Sequence, residues 1–402
     1  MLRCASIYTY ELDDPELALA EVTASLADKI SLLEHSVGIV MCHPEFIASG
    51  VLAHICAHLP FEVAGTTTAS QAVTGEAGEL MLTIFVMTAD DVSFRTGVTN
   101  SVIENIDGRT KAAFDAATAG STGQPDLALI FPPFLVGPSG DAYVRAWGKV
   151  IPNTPLFGTL ATDDSISFAG AEIIYHGTSY TTAMSFVLCY GNIVPRFFIA
   201  TLPQHHAASH TGEVTKSDGP YVYEINHTNA YEYLNSLEYI RDLNAIDNLA
   251  LVPFLVNLRK RGDHDDVSVV RGHASFTEDG SAIFRGDMDE GSTFTFLALD
   301  PDGILATARQ PIAEINSLAD INGALLFSCS DRRIALYGTD PAIELRSVKD
   351  AIHPKIPFMM GYSGGQICPT SIKDNVPTNR FHNYSLVMLA ICNRAPVDAN
   401  RR

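Results

Sequence analysis

One arrangement recurs three times along this chain and limits the folds open to it more than any other feature. An apolar strand runs into a polar break, a helical segment follows, and a second strand begins at a proline and ends in glycine and small polar residues. The first copy is Ser36–Cys42, a helix over Pro44–His58, then Pro60–Thr68. The second is Asp126–Phe131, Asp141–Val150, then Pro155–Asp164, and the third is Gly323–Ser330, Pro341–Ile352, then Pro357–Gly365. Apolar runs without alternation belong to strands buried on both faces, as in a parallel sheet whose crossovers are helices. Each copy therefore predicts a βαβ unit. Further strand patterns follow, at Glu79–Thr88, at Glu172–Tyr175 with Ala183–Leu202, and at Tyr384–Cys392, and these predict added antiparallel strands.

Between the second and third copies the texture changes. Val267–Val270, His273–Phe276, Ser281–Phe284 and Ser292–Leu299 are short β patterns separated by Glu278-Asp279-Gly280 and Asp289-Glu290-Gly291, which predicts a meander or hairpins. Helical patterns occupy Glu11–Leu33, Ser101–Ala117, Asn229–Leu243 and, interrupted by Pro311, Ala306–Asn316. The polar stretch His205–Pro220 reads as a linker. The expected fold is mixed α/β, with two mixed-sheet domains, 1–220 and 221–402, built from βαβ units with added antiparallel strands.

Charge narrows the partners. The 402 residues hold 26 Lys+Arg against 46 Asp+Glu, a net charge of −20, with no basic cluster. Phosphate recognition needs concentrated positive charge, so nucleic acid and anionic membranes are excluded as partners. The most apolar stretch, Ala183–Leu202, is broken by Ser185, Asn192, Pro195 and Arg196, and reads as two buried strands joined at Gly191-Asn192 rather than a membrane span. Met1–Asp14 carries acidic residues where a signal peptide needs basic ones, so a cytoplasmic location is expected. Seven cysteines without close spacing read as buried free thiols.

Loops after the carboxyl ends of parallel strands are where open α/β sheets bind ligands. Here they carry Thr66, Thr67 and Thr68, then Thr159, Thr162, Asp163 and Asp164, then Ser328, Cys329, Ser330 and Arg332, and finally Tyr362, Ser363, Gly364, Gly365 and Gln366. Taken singly these are good turn and cap residues; their recurrence at equivalent places suggests a polar small-molecule pocket.

Enzyme signatures are weaker. Gly361-Tyr-Ser363-Gly-Gly365 spells GxSxG, but Pro369 and a polar stretch follow instead of the helix a nucleophile elbow requires, which favours a glycine-rich turn. Gly120-Ser-Thr-Gly123 lacks the lysine of a phosphate-binding loop. Asp163-Asp164 suits a cap as well as a cation, and Arg261–Asp266 lacks the spacing of a calcium loop. His54 and His58 share a helix face without a third ligand, and His205, His206 and His210 fall in the linker. His176, His273 and His382 are candidates for a haem axial ligand, with no local motif marking one out.

Three segments together resemble a known family. Gly323-Ala-Leu-Leu-Phe-Ser-Cys329-Ser-Asp-Arg332, Pro357-Phe-Met-Met-Gly361-Tyr-Ser-Gly-Gly-Gln366-Ile-Cys-Pro369 and Phe381-His382-Asn383-Tyr-Ser-Leu resemble the C-terminal domain of the FIST (F-box and intracellular signal transduction) family. Gly65-Thr-Thr-Thr68 with Phe157-Gly-Thr-Leu-Ala-Thr-Asp-Asp164 is similar to its N-terminal domain. The resemblance spans about residues 30 to 390. Cys329, Arg332, Gly361, Gly364, Gly365, His382 and Asn383 are the matching positions, and the chain departs from the pattern at Asp331, Arg333 and Gln366.

The resemblance implies a sensory role in bacterial signalling, with binding of a small polar ligand such as an amino acid and no established catalysis. The signal would pass by contact to a partner such as a histidine kinase or chemotaxis receptor. A haem-binding nitric-oxide or gas sensor, and a hydrolase using Cys329 with His382 as base, are the alternatives. No metal is expected. The expected ligand contacts are Thr66, Thr67, Thr159, Thr162, Asp163, Cys329, Arg332, Tyr362, Gly364, Gly365, His382 and Asn383, with Arg332 pairing a ligand carboxylate or phosphate.

Overall fold

The three βαβ units form as the sequence predicts, and each is the middle of a longer unit. The computed structural model describes residues 2–119, 123–135, 138–165, 167–203, 211–237, 252–258, 267–297, 299–336, 340 and 342–393. The first unit runs β1 (Arg3–Thr9), a helix Pro15–Lys29, β2 (His35–Cys42), a helix Val51–His58, β3 (Glu62–Thr67), a hairpin of β4 (Gln71–Val73) and β5 (Glu76–Gly78), then β6 (Leu82–Ala89). The second repeats that order with β7 (Val92–Val98), a helix Ile106–Ala117, β8 (Leu127–Phe131), a helix Gly140–Val150, β9 (Leu156–Thr159), a hairpin of β10 (Ile173–Tyr175) and β11 (Thr178–Tyr180), then β12 (Ser185–Gly191).

The third unit opens with β13 (Ile193–Ala200) and is interrupted by an insertion. The insertion holds β14 (Thr211–Asp218), β15 (Tyr221–Ile225), β16 (Thr228–Asn229), β17 (Pro253–Leu258), β18 (Val267–Phe276), β19 (Ala282–Phe284) and β20 (Thr293–Phe296). The unit then resumes with helices Pro301–Thr307 and Arg309–Ser317, β21 (Ile321–Cys329), a helix Ile343–Ala351, β22 (Phe358–Ser363), a hairpin of β23 (Gln366–Lys373) and β24 (Val376–His382), and β25 (Leu386–Asn393).

Each unit builds one six-stranded sheet, and the three sheets have equivalent orders: β1-β6-β2-β3-β10-β11, β7-β12-β8-β9-β23-β24 and β13-β25-β21-β22-β4-β5. The central pair is parallel in all three. The last two strands of each sheet come from another unit. Hairpin β4–β5 of the first unit pairs with β22 of the third, β23–β24 of the third pairs with β9 of the second, and β10–β11 of the second pairs with β3 of the first. The exchange closes a ring. Two of the sheets therefore hold strands from both sides of residue 220.

Strand alternation, hidden in the sequence because both faces are apolar, is plain in the packing. On β2, Val37, Ile39 and Met41 face a core shared by all three units, while Val40 and Cys42 face the first unit's helices. Phe131 and Phe157 of the second unit meet Phe327 of the third in the shared core, with ring centroids 6.5 and 5.1 Å away. Full burial of such side chains contributes about 1.5–3 kcal/mol each. Helices cover the outer faces of all three sheets.

The insertion closes into a barrel, since β14 pairs with both β20 and β15 and leaves no open edge on that circuit. Phe254, Phe284, Phe294 and Phe296 fill it. The two predicted turns form, with Gly280 and Gly291 both at φ +80°. The expected meander is incomplete: β20 pairs with β14 and β17 instead of β19, and the two runs from Val267 to Phe276 are one strand with a bulge between His273 and Ser275.

Ala183–Leu202 does form two strands joined at Gly191-Asn192, and because β12 and β13 pair in different sheets the segment is a crossing between units. Other expectations need correcting. The Ala306–Asn316 helix is two helices, and Pro311 lies in the first turn of the second, where its missing N–H costs little. The first helix is shorter than Glu11–Leu33 because the Asp14 side chain caps it at Glu16 and Leu17. Asn229 caps the short helix Ala230–Asn235, and the rest of that predicted helix lies outside the described residues. So do His205, His206, His210, residues 120–122 and 261–266. All seven cysteines are buried and free. Among the described residues no helix is long and apolar enough to cross a membrane.

Candidate functional site

The ring brings the carboxyl ends of the three parallel pairs together. Thr162 N donates to Thr67 O at 3.4 Å, joining second unit to first, and Thr162 Oγ1 lies 3.3 Å from Ser330 Oγ of the third. Thr68 Oγ1 donates to Tyr362 O at 2.8 Å, joining first to third, and Gly364 N donates to Leu160 O at 3.1 Å. The hydroxyl-rich loops singled out in the sequence are one neighbourhood.

Most of their polar atoms are engaged within the protein. Thr66 Oγ1 and Thr67 Oγ1 donate to Glu172 O at 3.1 and 3.3 Å, and Thr159 Oγ1 donates to Leu160 O. Asp163 accepts from Ser165 N, Ser165 Oγ and Gly170 N, closing the 163–170 loop, while Asp164 faces His43 at 3.7 Å. Arg332 is fully buried: Nε and Nη2 donate to Glu344 Oε1 at 2.9 and 2.6 Å, and Nη2 also donates to Ile304 O at 3.1 Å. Buried Tyr362 has its phenol pushed well up, first by burial and then by Glu344. A Cβ on Gly364 would sit 2.7 Å from Ala161 O, and one on Gly365, at φ +146°, would enter the Phe381 ring. Ser363 Oγ donates to Gly365 O and accepts from Gly365 N, which makes the GxSxG segment a closed turn.

The proposed thiol chemistry finds no geometry. Cys329 Sγ faces Asp331 Oδ2 at 3.6 Å, and burial together with that carboxylate pushes the thiol up to about 12. His382 Nε2 is bonded to Cys368 O at 3.0 Å, and burial pushes the ring down to about 4. Gln366, with its amide oriented to match its neighbours, donates to the carbonyls of His382 and Ser385, which a carboxylate there could not do. Haem needs an imidazole nitrogen facing a wide slot. His382 Nε2 is taken, His176 Nε2 faces Glu62 at 3.4 Å, and His273 packs between Phe276 and Phe284, so these residues do not fit it. No group of three or more His, Cys, Asp or Glu among the described residues is placed to hold a metal ion.

Among the buried groups left unengaged, two belong to the segments where the barrel meets the strand ends. Asn383 is fully buried, yet neither its Oδ1 nor its Nδ2 has a hydrogen-bond partner among the described residues. Arg285, just after β19, has a buried Nε in the same condition. Its guanidinium lies 5.7 and 5.9 Å from the rings of Phe134 and Phe168, which meet edge to face at 4.8 Å. Arg285 Cδ, Tyr384 Cε2 and Asp331 Oδ2 all lie within 3.3–3.5 Å of where a Cβ on Gly272 would stand, so the three side chains converge over this glycine. Burial raises the Asp331 carboxyl, against the opposing pull of Arg285. Two surface grooves, of about 410 Å³ beside Phe198 and Pro311 and about 570 Å³ beside Tyr8 and Glu21, are lined by none of these residues.

Sequence reasoning reached Cys329 and Asn383 and missed Arg285, Phe134 and Phe168. Asp331 stood out only as a departure from a pattern. The chemistry assembled is a cation on an aromatic wall beside a buried carboxylate, with the unpaired Asn383 amide next in the chain to Tyr384, which meets them at Gly272. That set suits a small ligand carrying opposite charges.

Comparison with protein families gives two matches. A model described as the FIST N domain matches residues 36–228, and one described as the FIST C domain matches residues 230–369. Their junction falls inside the barrel, at β16. Comparison with curated proteins gives no match.

Proposed function

The chain belongs to the FIST family, and from that premise we propose that it is a bacterial cytoplasmic sensor whose ligand is a small zwitterion of the amino-acid kind. FIST domains are associated with signal transduction and the sensing of small ligands. The observation that carries the ligand reading is Asn383. A buried amide with both polar atoms unpaired costs about 1–3 kcal/mol per group, a cost a polar ligand removes. In this reading Arg285 takes the ligand's carboxylate, Asp331 its ammonium group, and Asn383 the remaining polar atoms.

Arg285 belongs to the barrel and Asp331 and Asn383 to the three-unit body, so a bridging ligand favours the conformations in which the two are closed together. A partner such as a histidine kinase or chemotaxis receptor reads that shift by contact. Thermal-shift measurement with the L-amino acids should show a rise in melting temperature for a subset, and Asn383→Leu should abolish it. An equal rise in Asn383→Leu removes Asn383 from the site. No rise with any of them, and no small molecule retained in native mass spectrometry, sinks the reading.

A further inference from the structure

Arg271 lies between the two halves of the proposed site and touches the backbone of both. It is fully buried on β18, and its donors reach three elements. Nε donates to Asp287 O at 3.2 Å, two residues beyond Arg285. Nη1 donates to Phe381 O at 2.8 Å, two residues before Asn383. Nη2 donates to Asp141 Oδ2 at 3.0 Å, and that same oxygen accepts from Asp287 N at 2.9 Å. Asp141 begins a helix of the second unit, so the cluster joins barrel, body and the exchanged hairpin β23–β24. Arg145 and Ser139 also bond Asp287, from the same side of the body.

Glycines make room for it. A Cβ on Gly286 would stand 2.6 Å from Arg271 Nε, and one on Gly140 would stand 2.1 Å from the Phe381 ring. The Gly286 backbone is thus fitted to the planar guanidinium, and the Gly140 backbone to the Phe381 ring that lies 5.9 Å from it. Lysine, a point charge without the fork, cannot hold two carbonyls and a carboxylate at once.

We infer that Arg271, with Asp141 as its counter-charge, is a positioning residue that sets the separation of Arg285 from Asn383 and so decides whether a carboxylate-bearing ligand is held at both ends. This inference rests on the ligand reading above. It predicts a selective loss, because a ligand lacking the carboxylate does not need Arg285 in place.

The test compares each L-amino acid that binds with its decarboxylated amine, by calorimetric titration on the full chain. In Arg271→Lys the amino acid should lose about tenfold in affinity while the amine is unchanged, so the gap between them closes. Equal loss for both probes, or none for either, overturns the positioning role. If Arg271→Lys does not fold, Asp141→Asn carries the same comparison with the same two outcomes. If the unaltered chain binds none of these probes, the ligand reading has failed, and the joint is read without a ligand. Spin labels at Lys111→Cys on the body and Glu232→Cys beside the barrel should then give a narrow distance distribution that broadens in Asp141→Asn. An unchanged distribution overturns the inference.

Discussion

Arg332 and Arg285 both lie close to Asp331, one as its neighbour in the chain and the other around Gly272, and their surroundings differ in kind. Arg332 is buried with its donors on Glu344 and on backbone carbonyls, and Ser328 Oγ bonds the other Glu344 oxygen at 2.7 Å. Arg285 is half-buried, leans on two aromatic rings, and has a buried Nε with no acceptor among the described residues. A saturated buried ion pair holds a fold in one arrangement; an unsaturated cation at a domain boundary is available to something else. Residue type and position at a strand end did not separate the two.

The comparison is most exposed to test at Arg332. Arg332→Ala leaves the Glu344 carboxylate buried and unpaired, which should cost about 3–5 kcal/mol in urea unfolding. If instead stability falls by less than about 1 kcal/mol and ligand affinity collapses, the two arginines have been assigned the wrong way round.

Two buried histidines repeat the contrast and make it depend on pH. His382 has Nε2 bonded to Cys368 O, while His273 packs against the Phe276 and Phe284 rings with the Ser275 backbone beside it. Burial pushes the first from 6.5 to about 4 and the second to about 3. Both pKa values are depressed on folding, so below pH 6.5 the unfolded chain binds protons that the folded chain refuses. Stability is therefore present above pH 6.5 and is lost toward pH 4, on the order of 3 kcal/mol for each histidine by that point. Urea midpoints from pH 7 to pH 4 should fall less steeply in His273→Phe and in His382→Gln than in the unaltered chain. At pH 7 His382→Gln should lower the midpoint more than His273→Phe, because it disturbs the 3.0 Å bond to Cys368 O; a loss of the same size in His273→Phe would show that His273 is bonded as firmly.

Arg285→Ala separates binding from folding. It removes a guanidinium that leans on two aromatic faces and opposes the burial of the Asp331 carboxyl, a group that can take up a proton in its absence, so the urea midpoint should fall far less than in Arg332→Ala. Affinity for a carboxylate-bearing ligand should drop about tenfold or more. The reverse pattern, large destabilisation with unchanged affinity, would make Arg285 a structural residue like Arg332.

The sequence displayed the parallel pairs because their strands are apolar on both faces, and it displayed the barrel turns because Gly280 and Gly291 need positive φ. It did not display the ring. Hairpins β4–β5, β10–β11 and β23–β24 are short, and which sheet a hairpin joins is set by packing between units hundreds of residues apart in sequence, not by anything in the hairpin. The site divides in the same way. Cys329 lies at a strand end and was found by position, whereas Asn383 was reached only through the family resemblance of Phe381-His382-Asn383. Arg285 follows an ordinary barrel strand, and it meets Asp331 over Gly272 of the neighbouring strand only once the barrel is seated on the strand ends.

Asn383 offers the smallest effect and the most telling sign. In a site evolved only for stability, an amide sealed from water without a partner would be replaced by an apolar side chain of similar size. Without ligand, Asn383→Leu removes two unpaired polar atoms and should leave stability unchanged or raise it by up to about 1 kcal/mol. Saturating ligand should stabilise the unaltered chain and leave Asn383→Leu where it was, so the order of the two melting temperatures reverses between the free and bound states. A loss of stability in Asn383→Leu without ligand would mean that the amide is already bonded, by an ordered water for example, and that its polarity serves the fold and not a ligand.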